Sequence, residues 1–268
     1  MKSTTSVTRL ESKNLKSLQT KKGREELGQF LVSGVRLLEE AHHHRFHPVE
    51  VYVCENEMTD RGLSLAGRFA VLDIPVKTVT TRDLESFADT ATPQGIAALF
   101  SLPECKLSEQ ILGNIRRILV CENIADPGNL GTLLRSALAF GFKGVVSCGA
   151  TAELWSPKVV RASAGSIFGL TVMQTEIKPL LDAFSSQRIS LVAADLRGED
   201  ISRVRLPESR NRGIALAVGS ESDGLTTPIL TSASLRVRIR HASGVDSLNA
   251  AVAGSILMSR FYEVDNKA

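Results

Sequence analysis

Leu10, Leu15 and Leu18 form an uneven helical stripe near the N-terminus, and Leu37, Leu38 and Ala41 form a second after Gly34. VEVYVC at 49–54 and PVKTV at 75–79 predict strands. A short helix begins near Thr81 or Arg82, with Leu84 and Phe87 on one face. GIAALF at 95–100 predicts a third strand behind the turn-forming TPQG. Helices alternating with short strands predict a small α/β domain that ends near residue 100. SLPECKLSEQ at 101–110 interrupts the pattern with Pro103 and charged side chains, which gives domains at 1–103 and 113–268 joined by a linker at 104–112.

The second half opens on RRILVCE at 116–122, a buried-strand pattern, followed by a helix over about 129–140 and a strand at 143–147. The helix-like TEIKPLLDAFSSQ precedes a strand at 188–194. GIALAVG at 213–219, LRVRI at 235–239 and a long helix from about Ser247 complete the outline. Apolar strands connected by helices predict a mainly parallel sheet covered on both faces. Ligands of such sheets sit outside the carboxyl ends of the strands, so the loops after the strands carry the candidate chemistry.

Composition narrows the classes. Of 268 residues, 43% are hydrophobic and 23% charged, as in an ordinary folded protein rather than a disordered or collagen-like one. Lys and Arg exceed Asp and Glu by 32 to 29, too little to imply an anionic partner. Locally the balance differs: Lys2, Arg9, Lys13, Lys16, Lys21, Lys22 and Arg24 face only Glu11 within residues 1–24. That segment could lie along a phosphate backbone or be a solvated helix face. Cys54, Cys105, Cys121 and Cys148 form no CxxC pair, so a zinc finger or disulfide scaffold is disfavoured and a reducing compartment expected. No apolar signal-peptide core and no run of about 20 apolar residues occurs, which predicts a cytoplasmic protein without a membrane partner. His42, His43 and His44 point in different directions on a helix and read as a solvated helix end, while His241 lies at the edge of the third candidate loop.

Three loops stand out. In ENIADPGNLGTLLRSALAFG at 122–141, Asp126 to Asn129 make a tight turn and Asn129 is a candidate N-cap. Arg135 lies nearly two helical turns on, where its guanidinium could take a phosphate or carboxylate or pair with a neighbouring acid. In GSESDGLT at 219–226, Gly219 allows a ligand close to the main chain, Ser220 offers a hydroxyl, and Glu221 could bind a donor or cap a helix entry. In IRHASGVDSLNAAVAGSILMSRF at 239–261, Ser247 is a candidate cap and Asn249 lies beside Leu248 in the first turn. The small residues Ala250, Ala251, Ala253, Gly254 and Ser255 suit close approach by a partner subunit or an intrachain helix. No GxGxxG, GxSxG, HExxH or GxxxxGK pattern supports dinucleotide, hydrolase, metalloprotease or P-loop chemistry.

Taken in order, NIADPGNLGTLLRSA, AVGSESDGLT and VDSLNAAVAGSILMSRF resemble the three motifs of the SpoU/TrmH family of RNA 2′-O-ribose methyltransferases. VTRLESKNLKSLQTKKGREELGQFLVSGVRLLEEA and TPQGIAAL resemble parts of the family's RNA-binding domain, so the resemblance spans most of the chain. It implies an L30e-like N-terminal α/β domain and a trefoil-knotted SPOUT α/β domain that binds S-adenosylmethionine. It also implies a homodimer through the C-terminal domain, with catalytic elements near the partner's cofactor, and structured RNA, most readily rRNA, as substrate. By motif alignment, Asn129, Arg135, Glu221, Ser247 and Asn249 correspond to catalytic positions. Gly219, Ser220, Ile239, Ser247 and Leu248 correspond to the surroundings of the methyl donor. The resemblance further implies that Arg135 contacts the target phosphate and that Glu221 orients Arg135 or a substrate group. The chain departs from the family pattern at Ser222, in place of the frequent glycine, and at Arg240–His241, in place of proline–methionine. The competing expectations are a tRNA 2′-O-methyltransferase, or an RNA-binding or assembly protein that keeps the fold without catalysis.

Overall fold

The computed structural model describes residues 7–88, 94–206, 213–242, 244 and 246–266. Lys2, Thr92, Pro93 and Val245 of the readings above lie outside them. The chain divides into two compact units, 1–103 together with 155–168, and 104–154 together with 169–268. The stretch 155–168 thus belongs with the first unit, although its position along the chain groups it with the second half.

The first unit runs α1 (Arg9–Ser17), α2 (Lys21–Leu27), β1 (Gln29–Ser33), α3 (Val35–His43), β2 (Glu50–Val53), α4 (Asp60–Val71), β3 (Val76–Thr78), α5 (Thr81–Phe87) and β4 (Ile96–Ser101). The strands form one mixed sheet in the order β1-β4-β2-β3. β4 is antiparallel to both neighbours, pairing Leu31 with Leu99 on one side and Glu50 with Leu99 on the other. β1 and α4 are absent from the sequence-based outline. Thr8 starts α1 with a capping box: its side chain accepts from the Glu11 N–H while Glu11 accepts from the Thr8 N–H. Leu15, Leu18, Tyr52, Leu84, Phe87 and Ala97 close one core of this unit. Phe30, Phe46, Phe100, Trp155 and Phe168 form a second, with Phe30 and Trp155 ring centroids 4.8 Å apart. Those last two aromatics give the stretch 155–168 its place in the unit.

The basic N-terminal segment divides by burial. Arg9, Lys13 and Lys16 are exposed on α1. Lys21 and Lys22 are exposed but stand one turn from Glu25 and Glu26. Arg24 is buried and donates from Nη1 to the Leu18 carbonyl at 2.6 Å. It serves the packing of α1 and α2, so the basic face is smaller than the sequence suggests.

In the second unit the order is α6 (Glu109–Gly113), β5 (Arg117–Glu122), α7 (Pro127–Ala139), β6 (Gly144–Cys148), β7 (Thr171–Gln174), α9 (Ile177–Ser186), β8 (Ser190–Asp200), β9 (Ile214–Val218), α10 (Thr227–Ser232), β10 (Leu235–Arg238) and α11 (Ala250–Asn266). The intervening α8 (Pro157–Ala162) lies in the stretch that joins the first unit. Six strands in the order β10-β8-β9-β5-β6-β7 make one sheet in which every pairing is parallel. The central strands β5, β6 and β9 are buried along almost their full length, as expected of strands covered on both faces. Ile118, Val120, Val146, Leu191, Ala215 and Ala217 pack with Leu180 and Phe184 of α9 in the principal core.

The helix α11 packs against α7 within the same chain. Ser136 and Ser255 hydroxyls lie 2.7 Å apart. A Cβ on Gly254 would come within 2.4 Å of Leu133 Cδ2 and 3.2 Å of a Val218 methyl. The small side chains of α11 therefore have an intrachain use. On another face of the helix Val252 and Ile256, one turn apart, remain exposed. Among the described residues no helix is long and apolar enough to cross a membrane.

Candidate functional site

Two helix starts fix the polar residues of the site. At α7, Asp126 rather than Asn129 is the N-cap: its Oδ1 accepts from the Asn129 N–H at 2.7 Å, and Pro127 occupies the first turn, where no N–H is required. This leaves the Asn129 side chain free to point elsewhere. At α11, Asn249 rather than Ser247 takes the capping role, with its Oδ1 accepting from the N–H groups of Ala251 and Val252 at 3.0 and 3.2 Å. That assignment turns the Asn249 amide nitrogen outward.

The two amides converge on Glu221. Asn129 Nδ2 donates to Glu221 Oε1 at 2.6 Å, and Asn249 Nδ2 donates to Asn129 Oδ1 at 2.9 Å and to Glu221 Oε1 at 3.1 Å. The Ala250 N–H, in the first turn of α11, adds a longer bond to the same oxygen at 3.3 Å. Three donors thus meet one carboxylate oxygen, and a helix N-terminus favours the charge there. Glu221 Oε2 has no protein donor among the described residues, so it is available to a ligand. Glu221 is not a helix-entry cap of its own segment; it reaches across to the start of α11.

The loop carrying Glu221 is anchored from beneath by Glu122, the last residue of β5 and fully buried. Its Oε1 accepts from Thr226 Oγ1 at 2.6 Å and its Oε2 from the Thr226 N–H at 2.9 Å. The local pattern reads Glu122 only as the end of an apolar strand, yet a carboxylate closing ILVC is itself a signal, because buried acids are retained where donors await them. At the other end of the loop, Gly219 lies so close to Gly224 that a Cβ would stand 2.3 Å from its backbone. Burial pushes the Cys148 thiol up to about 12, and the fully buried Cys121 thiol higher, so neither supplies a thiolate nucleophile at neutral pH.

A cavity of about 370 Å³ opens at the carboxyl ends of β9 and β10, lined in part by Gly219, Ser220, Glu221, Ile239, Ser247 and Leu248. Val218, Leu225, Val237 and Leu257 add apolar wall. Its volume and its mainly apolar lining with a few placed polar groups suit a nucleoside-sized ligand. The sequence-selected residues of the second and third loops therefore meet on one cavity, and Asn129 joins them through Glu221. Arg135 stands apart. It is exposed on α7, does not line the cavity, and its side chain makes no hydrogen bond or ion pair among the described residues.

Comparison with known proteins agrees with this architecture. The SpoU rRNA Methylase family model matches residues 116–259, and the MRM3-like substrate binding domain model matches residues 11–98. The chain is 32% identical over 250 residues to an uncharacterized tRNA/rRNA methyltransferase of Synechocystis sp., across 92% of this chain and 88% of that protein. It is 30% identical over 258 residues to the 23S rRNA (guanosine(2553)-2′-O)-methyltransferase RlmP of Bacillus subtilis, across 96% and 98% of the two chains. A TrmH-family protein from Porphyromonas gingivalis superposes with a TM-score of 0.81 at 27% identity, covering 95% of this chain and 97% of that one. For the fold alone, an rRNA methyltransferase from Sinorhizobium meliloti solved with AdoMet gives a TM-score of 0.84 at 24% identity, covering 97% and 98%. With its parallel sheet, its three loop segments and relatives aligned nearly end to end, the chain belongs to the SpoU rRNA methylase family, the SpoU/TrmH branch of the SPOUT fold.

Proposed function

We propose that this protein transfers a methyl group from S-adenosylmethionine to a ribose 2′-hydroxyl of RNA, with rRNA as the substrate class. The observation that carries the reading is the junction of Asn129, Glu221 and Asn249 at the rim of an apolar cavity, since it brings three distant loops to one place. The donor fits the cavity by size and by lining: Ile239, Leu248, Val218 and Leu225 offer apolar surface to an adenosine, and the Gly219–Ser220 main chain offers polar edges. When bound, S-adenosylmethionine supplies an electrophilic methyl group on a sulfonium.

The protein's own residues position the nucleophile. A ribose hydroxyl is a poor nucleophile, so orientation and compensation of developing negative charge must lower the barrier. Glu221, fixed at Oε1, presents Oε2 as an acceptor that can orient the hydroxyl or a guanidinium. Ser247 adds a hydroxyl on the cavity wall. Arg135 grips the phosphate of the target nucleotide and offsets the charge that develops on the oxygen.

Because Arg135 is exposed and outside the lining of its own chain's cavity, we assign it to the cavity of a second copy in a homodimer formed through the C-terminal unit. The exposed Val252 and Ile256 of α11 supply apolar surface for that association. The first unit serves as the RNA substrate-binding domain, in keeping with its family match. The linker expected at 104–112 shortens to the residues before α6, which begins at Glu109 and buries Leu112 in the core of the second unit, and the protein works in the cytoplasm.

The deciding experiment is transfer of labelled methyl from S-adenosylmethionine to unmodified ribosomal RNA, followed by nucleoside mapping. A labelled 2′-O-methylnucleoside is expected. Donor and RNA binding with no labelled product in any RNA pool, precursor and assembled forms included, would reverse the reading in favour of a noncatalytic assembly role.

A further inference from the structure

The extension of β8 builds a second wall beside the donor cavity. The sequence pattern ends this strand near residue 194, but it runs to Asp200 alongside β10. The register between them shifts at Arg236 and Val237, where Gly198 admits the neighbouring backbone: a Cβ there would lie 2.6 Å from Arg236 C and Val237 N. The Ile201 N–H then bonds the Arg238 carbonyl at 3.0 Å, which brings the turn after β8 against the end of β10. As a result Arg203, Arg238 and Arg240 line one cavity of about 490 Å³.

This cavity adjoins the first, since Leu196, Arg238, Ile239 and His241 line both. Asp200 and Asp246 also line it, so three guanidiniums face two carboxylates. One oxygen of Asp200 is engaged: its Oδ1 accepts from Ser202 N and Oγ at 2.9 and 2.7 Å. Those bonds, helped by the nearby Arg203 and Arg240, hold its carboxyl below the usual carboxylate range. None of the three guanidiniums makes a side-chain hydrogen bond or a close ion pair among the described residues. By contrast, Arg61 and Arg260 are each engaged by a glutamate. Guanidinium forks without a hydrogen-bonded acid, gathered on the wall of one cavity, suit a tetrahedral oxyanion. Arg240, one of the three, also stands where the family pattern has proline, so that member of the cluster belongs to this chain rather than to the shared motifs.

We propose that Arg203, Arg238 and Arg240 form an anion subsite that holds a backbone phosphate of the RNA strand flanking the methylated nucleotide. The subsite rests on the reading of the protein as an RNA 2′-O-methyltransferase and deepens it. It places the strand along the carboxyl ends of β8 and β10 and fixes which ribose reaches the donor cavity.

The test compares the wild-type protein, an R203Q/R240Q double variant and a K106Q/K178Q control that removes two exposed charges elsewhere. Each is titrated with an unmodified 23S rRNA transcript at several salt concentrations, and S-adenosylmethionine binding is measured by calorimetry. The double variant is expected to bind the transcript on the order of tenfold more weakly and to lower the log–log salt slope by about 0.7 for every phosphate it no longer neutralises. Its donor affinity should stay within about twofold of wild type. An unchanged RNA affinity and slope would overturn the proposal, as would an equal loss in the control or no binding by the wild type at low salt. Loss of donor affinity in R203Q/R240Q would overturn it too, assigning the cluster to the donor's carboxylate. RNA binding is read without methyl transfer, so a wild type that binds but never methylates removes the enzymatic reading while the salt slopes still decide the subsite.

Discussion

Asn129 and Glu221 are separated by 92 positions in the chain and joined by a 2.6 Å hydrogen bond from Nδ2 to Oε1. The geometry is directional. Asn249 spends its own oxygen on the N-terminus of α11, so its nitrogen must donate, and Asn129 is left with its oxygen toward Asn249 and its nitrogen toward Glu221. Asn129→Asp would replace the donor with a carboxylate beside a carboxylate. The expected outcome is a loss of methyl transfer of at least about a hundredfold, larger than that of Asn129→Ala, since like charges at this distance repel. Steady-state turnover with donor affinity in parallel checks it. Equal losses in both variants would mean that the missing donor, and not repulsion between two carboxylates, sets the effect.

The buried Glu122 makes a second, structural prediction. Thr226→Val removes the hydroxyl that Glu122 Oε1 accepts and changes the shape little. A buried carboxylate oxygen left without its donor costs about 1–3 kcal/mol. Urea denaturation of the variant should show a lower midpoint at unchanged slope. Donor affinity should fall as well, because the loop held by Thr226 carries Gly219 and Glu221 to the cavity. A stability loss of that size without any change in donor binding would separate Thr226 from the site.

Gly219→Ala and Gly254→Ala test two kinds of tightness. At Gly219 the obstruction is backbone, Gly224 at 2.3 Å, and cannot rotate away. At Gly254 it is the end of the Leu133 side chain at 2.4 Å. Gly219→Ala should therefore abolish measurable S-adenosylmethionine binding. Gly254→Ala should cost about 1–3 kcal/mol of stability as Leu133 shifts, with the donor still bound. Calorimetric titration of both variants with the donor distinguishes these outcomes, and retained affinity in Gly219→Ala would contradict the loop geometry.

Much of this architecture is legible locally. The buried strands β5, β6 and β9 announce themselves as short apolar runs, and the loops after β5 and β9 carry the polar residues that parallel-sheet geometry leads one to expect there. What escapes local reading is tertiary. β1 (Gln29–Ser33) is five residues between helices and buried along most of its length, so it shows no two-residue alternation. The extra length of β8 comes from its pairing with β10 across a register shift, which its own sequence does not encode. Asp126 displaces Asn129 as the cap because proline follows it, and Asn249 displaces Ser247 because α11 starts later than the periodicity indicates. Only the family resemblance places Asn129, Glu221 and Asn249 in one site, since no local pattern spans such separations.

Arg135 provides a test of the assembly. It is exposed on α7 and absent from the lining of its own cavity, so the dimer reading has it act in the partner's site. Arg135→Ala alone should depress turnover by at least about a thousandfold with folding and donor binding retained. Mixed and reassembled with Glu221→Ala subunits, it should regain about a quarter of wild-type activity, because half the dimers are mixed and each holds one complete site. Activity no greater than the sum of the two separate variants would place Arg135 in its own subunit's reaction.

The N-terminal basic segment yields the last prediction, sharpened by burial. Arg9, Lys13 and Lys16 project from α1 into solvent, whereas Arg24 is enclosed and bonded to the Leu18 carbonyl. Replacing Arg9, Lys13 and Lys16 with glutamine should weaken RNA binding and flatten its salt dependence by about 0.7–0.9 in slope for each phosphate left without a cation, with the thermal midpoint near wild type. Arg24→Gln should behave in the opposite way. It withdraws a buried guanidinium from a carbonyl and leaves space in the α1–α2 packing, so the expected effect is a lower melting temperature with the RNA salt slope of the folded protein unchanged. If the triple variant keeps both its RNA affinity and its salt slope, α1 is a solvated face and the first unit grips RNA elsewhere.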